Sequence, residues 1–165
     1  MAALRGLVLL AVWILMGHQA SALNGTPCQP NKNNNAHNIF LSRHNPSGSP
    51  STHNQSEWQD FIRNKNLCGR PIQSFIRHKE HDELIAVCSA GGKEYKKNLC
   101  ISKKSFTFVT VTADKVSCEV TNVKEEKDKH LILACDKVDN KCLPVHFEPN
   151  KNNDKPKDDA GDCKA

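Results

Sequence analysis

Eight cysteines constrain this chain more than any other feature: Cys28, Cys68, Cys88, Cys100, Cys118, Cys135, Cys142 and Cys163. All of them follow an apolar N-terminal run. An even count in an oxidising compartment predicts a four-disulfide framework, and the count alone leaves 105 pairings open. No Cys-x-x-Cys and no His-x-x-x-His pair occurs, so a structural zinc cluster is not expected. Neither a metal nor an organic cofactor is expected.

The oxidising compartment follows from residues 1–22. Arg5 supplies a short basic region, Leu7 to Met16 is apolar, and Ala20-Ser21-Ala22 has the small residues of a cleavage site. This is the pattern of a secretory signal peptide. The apolar run is too short to span a bilayer, and no second stretch of about 20 apolar residues follows. The expected product is a secreted, extracellular monomer of about 143 residues, which is the size of one domain. Two Asn-x-Ser/Thr sequons, at Asn24 and Asn54, fit a glycosylated surface.

The formal charge of +5 falls to about +4 when Arg5 leaves with the leader. That favours polyanions, RNA or sulfated glycans, without demanding one. Lys93, Lys96 and Lys97 form one basic cluster and Lys103 and Lys104 another; each reads equally well as a solvated face. Several enzyme classes lack their signatures here. There is no Gly-rich phosphate loop and no Gly-x-Ser-x-Gly elbow, and cysteines committed to disulfides leave no nucleophilic thiol.

Residues 23–37, rich in Asn, read as a flexible arm, residues 38–149 as the folded domain and residues 150–165 as a polar tail anchored only at Cys163. Helices are expected over Ile39 to His44, Glu57 to Asn64 and within Pro71 to His81, where Ile72, Phe75 and Ile76 repeat at helical spacing. Strands are expected over Ile85 to Cys88, Ser105 to Thr112, Ser117 to Val123, Leu131 to Cys135 and Leu143 to Phe147, with a turn at Val138 to Lys141. Helices first and strands afterwards predict an α+β fold with an antiparallel sheet.

With other nucleophiles set aside, histidine remains for catalysis. RNA cleavage without a metal needs a base for the ribose 2′-hydroxyl, an acid for the departing 5′-oxygen and a fixed cation near the phosphorus. Two histidines and a Lys or Arg meet those needs. His44 lies in Phe40-Leu41-Ser42-Arg43-His44, and His146 lies in Leu143-Pro144-Val145-His146-Phe147. Between them runs Cys68-Gly69-Arg70-Pro71-Ile72-Gln73-Ser74-Phe75.

These three segments, in this order over Ile39 to Glu148, resemble the pancreatic-type ribonuclease (ribonuclease A) superfamily, angiogenins included. The resemblance implies short helices with a curved antiparallel sheet. It also implies His44 as general base, His146 as general acid, Arg70 as the transition-state cation, and Arg43, Gln73, Ser74 and Phe147 as substrate-binding residues. Departures are plain: Gly69 is inserted, and arginine replaces the family's lysine, keeping the charge on a longer planar fork. Gln73 replaces Asn, Ser74 replaces Thr and Arg43 replaces Gln.

The resemblance further implies the bridges Cys68–Cys118 and Cys88–Cys135. One core bridge of the family is missing on both sides, with Trp58 near one position and Val111 or Thr112 near the other. The remaining cysteines are expected to pair as Cys28–Cys163, joining the two extensions, and Cys100–Cys142, beside the presumed cleft. Three functions are compatible with these residues. The first is a secreted endoribonuclease that cleaves single-stranded RNA after pyrimidines. The second is a catalytically degraded relative that binds or signals in host defence, vessel growth or reproduction. The third is a disulfide-stapled protein similar in structure only.

Overall fold

The computed structural model describes residues 24–163; the expected signal peptide lies outside the described residues. The fold is α+β. Three α-helices, α1 (Ala36–His44), α2 (Gln55–Asn64) and α3 (His81–Ala86), accompany five strands among the described residues. The strands are β1 (Ile72–Ile76), β2 (Gly92–Lys96), β3 (Leu99–Ala113), β4 (Val120–Val138) and β5 (Lys141–Glu148). They form one antiparallel sheet in the order β1-β3-β4-β5, with β2 also paired to β3. No helix among the described residues is long and apolar enough to cross a membrane.

The long β3–β4 ladder is the spine, and it carries two apolar clusters. Phe40 of α1, Leu84 of α3 and Phe147 of β5 pack with Phe106, Phe108, Leu131 and Leu133. Farther along, Trp58, Phe61 and Ile62 of α2 pack on Phe75, Val109 and Val111. Trp58 and Val111 thus share an apolar cluster where the resemblance lacks a bridge, and Trp58 rests 4.9 Å from the Phe75 ring. The start of α2 is fixed by Asn54, whose side-chain oxygen accepts from the amides of Ser56 and Glu57.

Two expected elements change type. Pro71 to His81 holds no α-helix before its last residue: residues 72–76 are β1, and His78–Glu80 is a 3-10 turn. Ile72 is 63% exposed while Phe75 and Ile76 are buried, so the three do not share a helix face. Strand β1 instead obtains its backbone partners from Thr112 back to Phe108 on β3, which a five-residue helix could not match. Conversely, the expected strand at Ile85 to Cys88 is the end of α3 and the turn after it. Leu84, Val87 and Cys88, three and four apart, form the buried face.

Two other strands fuse. Ser117 to Val123 and Leu131 to Cys135 belong to a single β4, because the intervening charged residues stay paired with β3 through Lys124↔Thr110 and His130↔Ser105. Helix α1 begins at Ala36, three residues before the expected start.

Both extensions are tied down, and this overturns two expected disulfides. The segment before α1 runs beside β4, with the Cys28 amide on the Cys135 carbonyl at 2.8 Å and the Asn31 amide on that of Lys137 at 3.0 Å. Asn24 and Asn31 both donate to the Asp136 carboxylate, at 2.9 and 2.7 Å. Lys137 faces Cys142 across the ladder, so Cys28 meets Cys142 and not Cys163. The C-terminal segment lies along β2: the Glu94 amide donates to the Gly161 carbonyl, the Cys163 amide to that of Gly92, and Asp162 pairs with Lys93 and Lys103. Glu94 faces Cys100 on β3, which brings Cys163 to Cys100 and not Cys142 to it. The bridges Cys68–Cys118 and Cys88–Cys135 are present as expected.

Candidate active site

His44 is the last residue of α1, and its ring is held from two sides. Its Nδ1 donates to the Ser74 carbonyl of β1 at 2.9 Å. A carbonyl can only accept, so Nδ1 carries a proton and Nε2 is left with the lone pair in the neutral ring. The ring stacks on Phe147 of β5 at 5.3 Å with the planes 22° apart, and Phe108 closes the far side of Phe147 edge-on at 5.7 Å. Helix, edge strand and last strand therefore each contribute one wall.

Asn45 locks this junction. Its amide donates to the carbonyls of Ile76 at 3.2 Å and Arg77 at 3.0 Å, its side-chain oxygen accepts from His81 Nδ1 at 2.8 Å, and its backbone carbonyl accepts from His78 Nδ1 at 3.2 Å. The end of α1 is thus bound to the end of β1, and the His44 ring direction with it.

Burial dominates the electrostatics of His44. Desolvation lowers its pKa from 6.5 to about 4; the Ser74 hydrogen bond opposes this, and the charges of Arg70, His146 and Arg43 add to it. These three are the residues that the sequence singled out, and all three act on one imidazole. Arg70 is half-buried, and its own pKa is lowered by burial and by Arg43. The two arginines give the surroundings of the ring a positive potential, which favours an anion.

His146 reaches the site from β5. One extra residue, Val145, interrupts the register between Ala134↔His146 and Cys135↔Pro144. This bulge switches the strand's facing: Cys142 and Pro144 are buried, then Phe147 is buried and His146 exposed. Its Nε2 lies 3.2 Å from Glu148 Oε2, which leaves Nδ1 for a ligand.

Two expected substrate contacts are resolved differently. Ser74 is accessible, and its hydroxyl lies 3.1 Å from that of Thr110 on β3. Gln73, by contrast, is buried and turned inward, donating to the Leu67 carbonyl at 2.6 Å and weakly to that of Arg70 at 3.5 Å. It braces the loop that carries Arg70, which corrects its expected role as a substrate contact. The sequence reading missed Glu148 and Thr110. Glu148 stands two residues beyond His146, the spacing that puts side chains on one strand face, so that signal was available; Thr110 emerges only from the β1–β3 register.

The other ionic features are structural. Lys93 and Lys103 share Asp162 and Lys104 pairs with Glu83, so three of the five clustered lysines are tied to the C-terminal segment and α3. His37 Nδ1 donates to the Pro144 carbonyl at 2.9 Å, and His130 Nδ1 donates to the Ser102 carbonyl at 2.8 Å. Asn54 is exposed with its amide nitrogen directed away from the cap, whereas the Asn24 amide is engaged with Asp136.

No family model matches the chain, and no curated protein matches it significantly. The structure shows a disulfide-stapled α+β scaffold with a buried His44 at the end of α1 and an exposed His146 on β5, and the charges of Arg70, His146 and Arg43 bear on the His44 ring. Four disulfides are consistent with an extracellular protein.

Proposed function

We propose that the protein is a secreted endoribonuclease of the ribonuclease A type that cleaves single-stranded RNA on the 3′ side of pyrimidines. The observation that carries this reading is the His44 imidazole, with Nδ1 fixed on Ser74, Nε2 free and the charges of Arg70, His146 and Arg43 around it.

In this mechanism His44 Nε2 takes the proton of the ribose 2′-hydroxyl as the 2′-oxygen attacks phosphorus. His146 Nδ1 gives a proton to the departing 5′-oxygen, so the P–O5′ bond breaks as the P–O2′ bond forms. The products are a 2′,3′-cyclic phosphate and a 5′-hydroxyl chain. Arg70 opposes the charge that grows on the non-bridging oxygens. Ser74 offers its hydroxyl to the edge of the base, with Thr110 fixing its direction, and Phe147 forms the floor beneath it.

Cleavage of a uridine-adenosine dinucleotide tests the chemistry. The expected products are uridine 2′,3′-cyclic phosphate and adenosine, with the deoxyuridine analogue left intact. A 3′-phosphate with no cyclic precursor would contradict the mechanism.

A second reading rests on the lowered pKa of His44. A base whose pKa falls to about 4 is weak, and the charges of Arg70 and Arg43 attract an anion whether or not turnover follows. The same cleft then serves a secreted protein that binds polyanions without useful catalysis.

A further inference from the structure

His37 and His44 lie seven residues apart on α1, which at about 3.6 residues per turn puts both imidazoles on one face, about 10.5 Å apart along the helix axis. That face meets β5. His37 Nδ1 donates to the Pro144 carbonyl at 2.9 Å, and the His44 ring stacks on Phe147. Pro144 and Phe147 are three residues apart, a span of about 10 Å in extended chain, so the helix and strand spacings match and each histidine meets its own position on β5. His146 stands between the two contacts.

The stretch held in this way is the irregular part of the strand. Val145 is the extra residue of the bulge, and the ladder to β4 runs on either side of it through Cys135↔Pro144 and Ala134↔His146. A slip of one residue there would exchange the facing of His146 and Phe147. On the later side, Phe147 is fixed by its burial against Phe108 and His44. On the earlier side, Pro144 has no N–H to give, so its carbonyl is its only backbone hydrogen-bonding group, and His37 holds it. The His37 ring is itself steadied, half-buried and stacked on Phe40 at 6.4 Å with the planes 14° apart. Because a carbonyl only accepts, Nδ1 carries a proton in either charge state of the ring, and the contact persists in both.

We propose that His37 is a positioning residue for His146: its bond to Pro144 sets the bulge at Val145 and thereby the direction of the His146 imidazole. The proposal deepens the ribonuclease reading and rests on it for the reaction that His146 serves. Displacing a reacting group by about 1 Å costs about 100-fold in rate, so loss of the contact is read in kcat and not in KM.

The test compares the folded, oxidised wild type with His37→Phe, which keeps a ring on Phe40 and loses the donor, and His37→Asn, whose amide N–H stands two bonds from Cβ as the Nδ1 of histidine does. His37→Ala, which loses ring and donor together, is the third variant. Cleavage of the uridine-adenosine dinucleotide is followed at a temperature where thermal unfolding shows the proteins folded, and nuclear Overhauser contacts of His146 with Ala134 and Glu148 are measured on the same samples. His37→Phe and His37→Ala are expected to lose about 10- to 100-fold in kcat with KM changed less than about twofold, and to weaken both contacts. His37→Asn is expected to recover most of each. Should His37→Ala not fold, His37→Phe decides. Unchanged kcat or contacts in the donor-less variants, an equal loss in His37→Asn, or a loss confined to KM would overturn the positioning role. A wild type that cleaves nothing would sink the ribonuclease reading instead; the His146 contacts then decide alone, weakened in His37→Phe and restored in His37→Asn if His37 sets the bulge, and unchanged if it does not.

Discussion

The Nδ1 of His44 lies 2.9 Å from the carbonyl oxygen of Ser74, which joins the C-terminal end of the first helix to an edge strand through a buried imidazole. The bond fixes the tautomer, and burial keeps the ring neutral. The pKa of His44 falls from 6.5 to about 4 on folding, so between those values the unfolded chain binds the extra proton and the folded one does not. The stabilisation is complete above pH 6.5 and is lost as pH falls toward 4. It amounts to about 3 kcal/mol at its full extent. Urea unfolding at pH 7 and pH 4.5 should show this loss in wild type. His44→Gln, which has no group titrating in that window, should have a flatter profile; an equal pH dependence in the variant would show that other groups carry it.

Gln73 supports Arg70 from beneath. Gln73→Leu leaves the Leu67 carbonyl without its amide partner in a buried setting, at a cost of about 1–3 kcal/mol. Stability should fall by that amount and RNA cleavage should fall further than stability explains, because the loop bearing Arg70 loosens. Unchanged cleavage at a temperature where the variant is fully folded would show that the brace does not position the arginine.

Glu148 contacts His146 at a site where both side chains are about half exposed, at 49% and 44% for histidine and glutamate. Exposed pairs of this kind contribute no more than about 1 kcal/mol, so Glu148→Gln should lower kcat/KM by no more than about fivefold. His146→Ala removes the acid itself and should cost orders of magnitude. Comparable losses in the two variants would mean that Glu148 touches the reacting groups directly.

The C-terminal segment is held by Cys100–Cys163 and by Asp162 between Lys93 and Lys103. Replacing Cys100 and Cys163 together by alanine should lower stability by about 2–4 kcal/mol and expose residues 149–162 to proteolysis. Peptide mapping of the oxidised protein should recover Cys28 with Cys142 and Cys100 with Cys163. Recovery of Cys28 with Cys163 would contradict the docking of both extensions.

His44, Arg70 and His146 each sit in a distinctive local string, which is why the sequence singles them out. The α+β class was legible from the change to strand patterning beyond His81. What was not legible depended on partners distant in sequence. Ile72, Phe75 and Ile76 have helical spacing, and only the offer of β3 as a partner makes them a strand. The Asn-rich and Lys/Asp-rich extensions have the composition of free chain, and they are ordered because Asp136 gathers Asn24 and Asn31 while Asp162 gathers two lysines. Their cysteines therefore join each extension to the sheet and not to the other extension. Gln73 shows the same limit, since its string placed it in the site and the fold turned its amide inward.

The central claim is that His44 and His146 work on one phosphate with Arg70 beside them. Its most direct test is cleavage of a short fluorogenic RNA containing one pyrimidine by the refolded mature protein and by His44→Ala, His146→Ala and Arg70→Lys. The account predicts turnover by wild type that either alanine substitution abolishes, and faster turnover by Arg70→Lys as a compact ammonium replaces the planar fork. Wild-type turnover no greater than that of His44→Ala would contradict it.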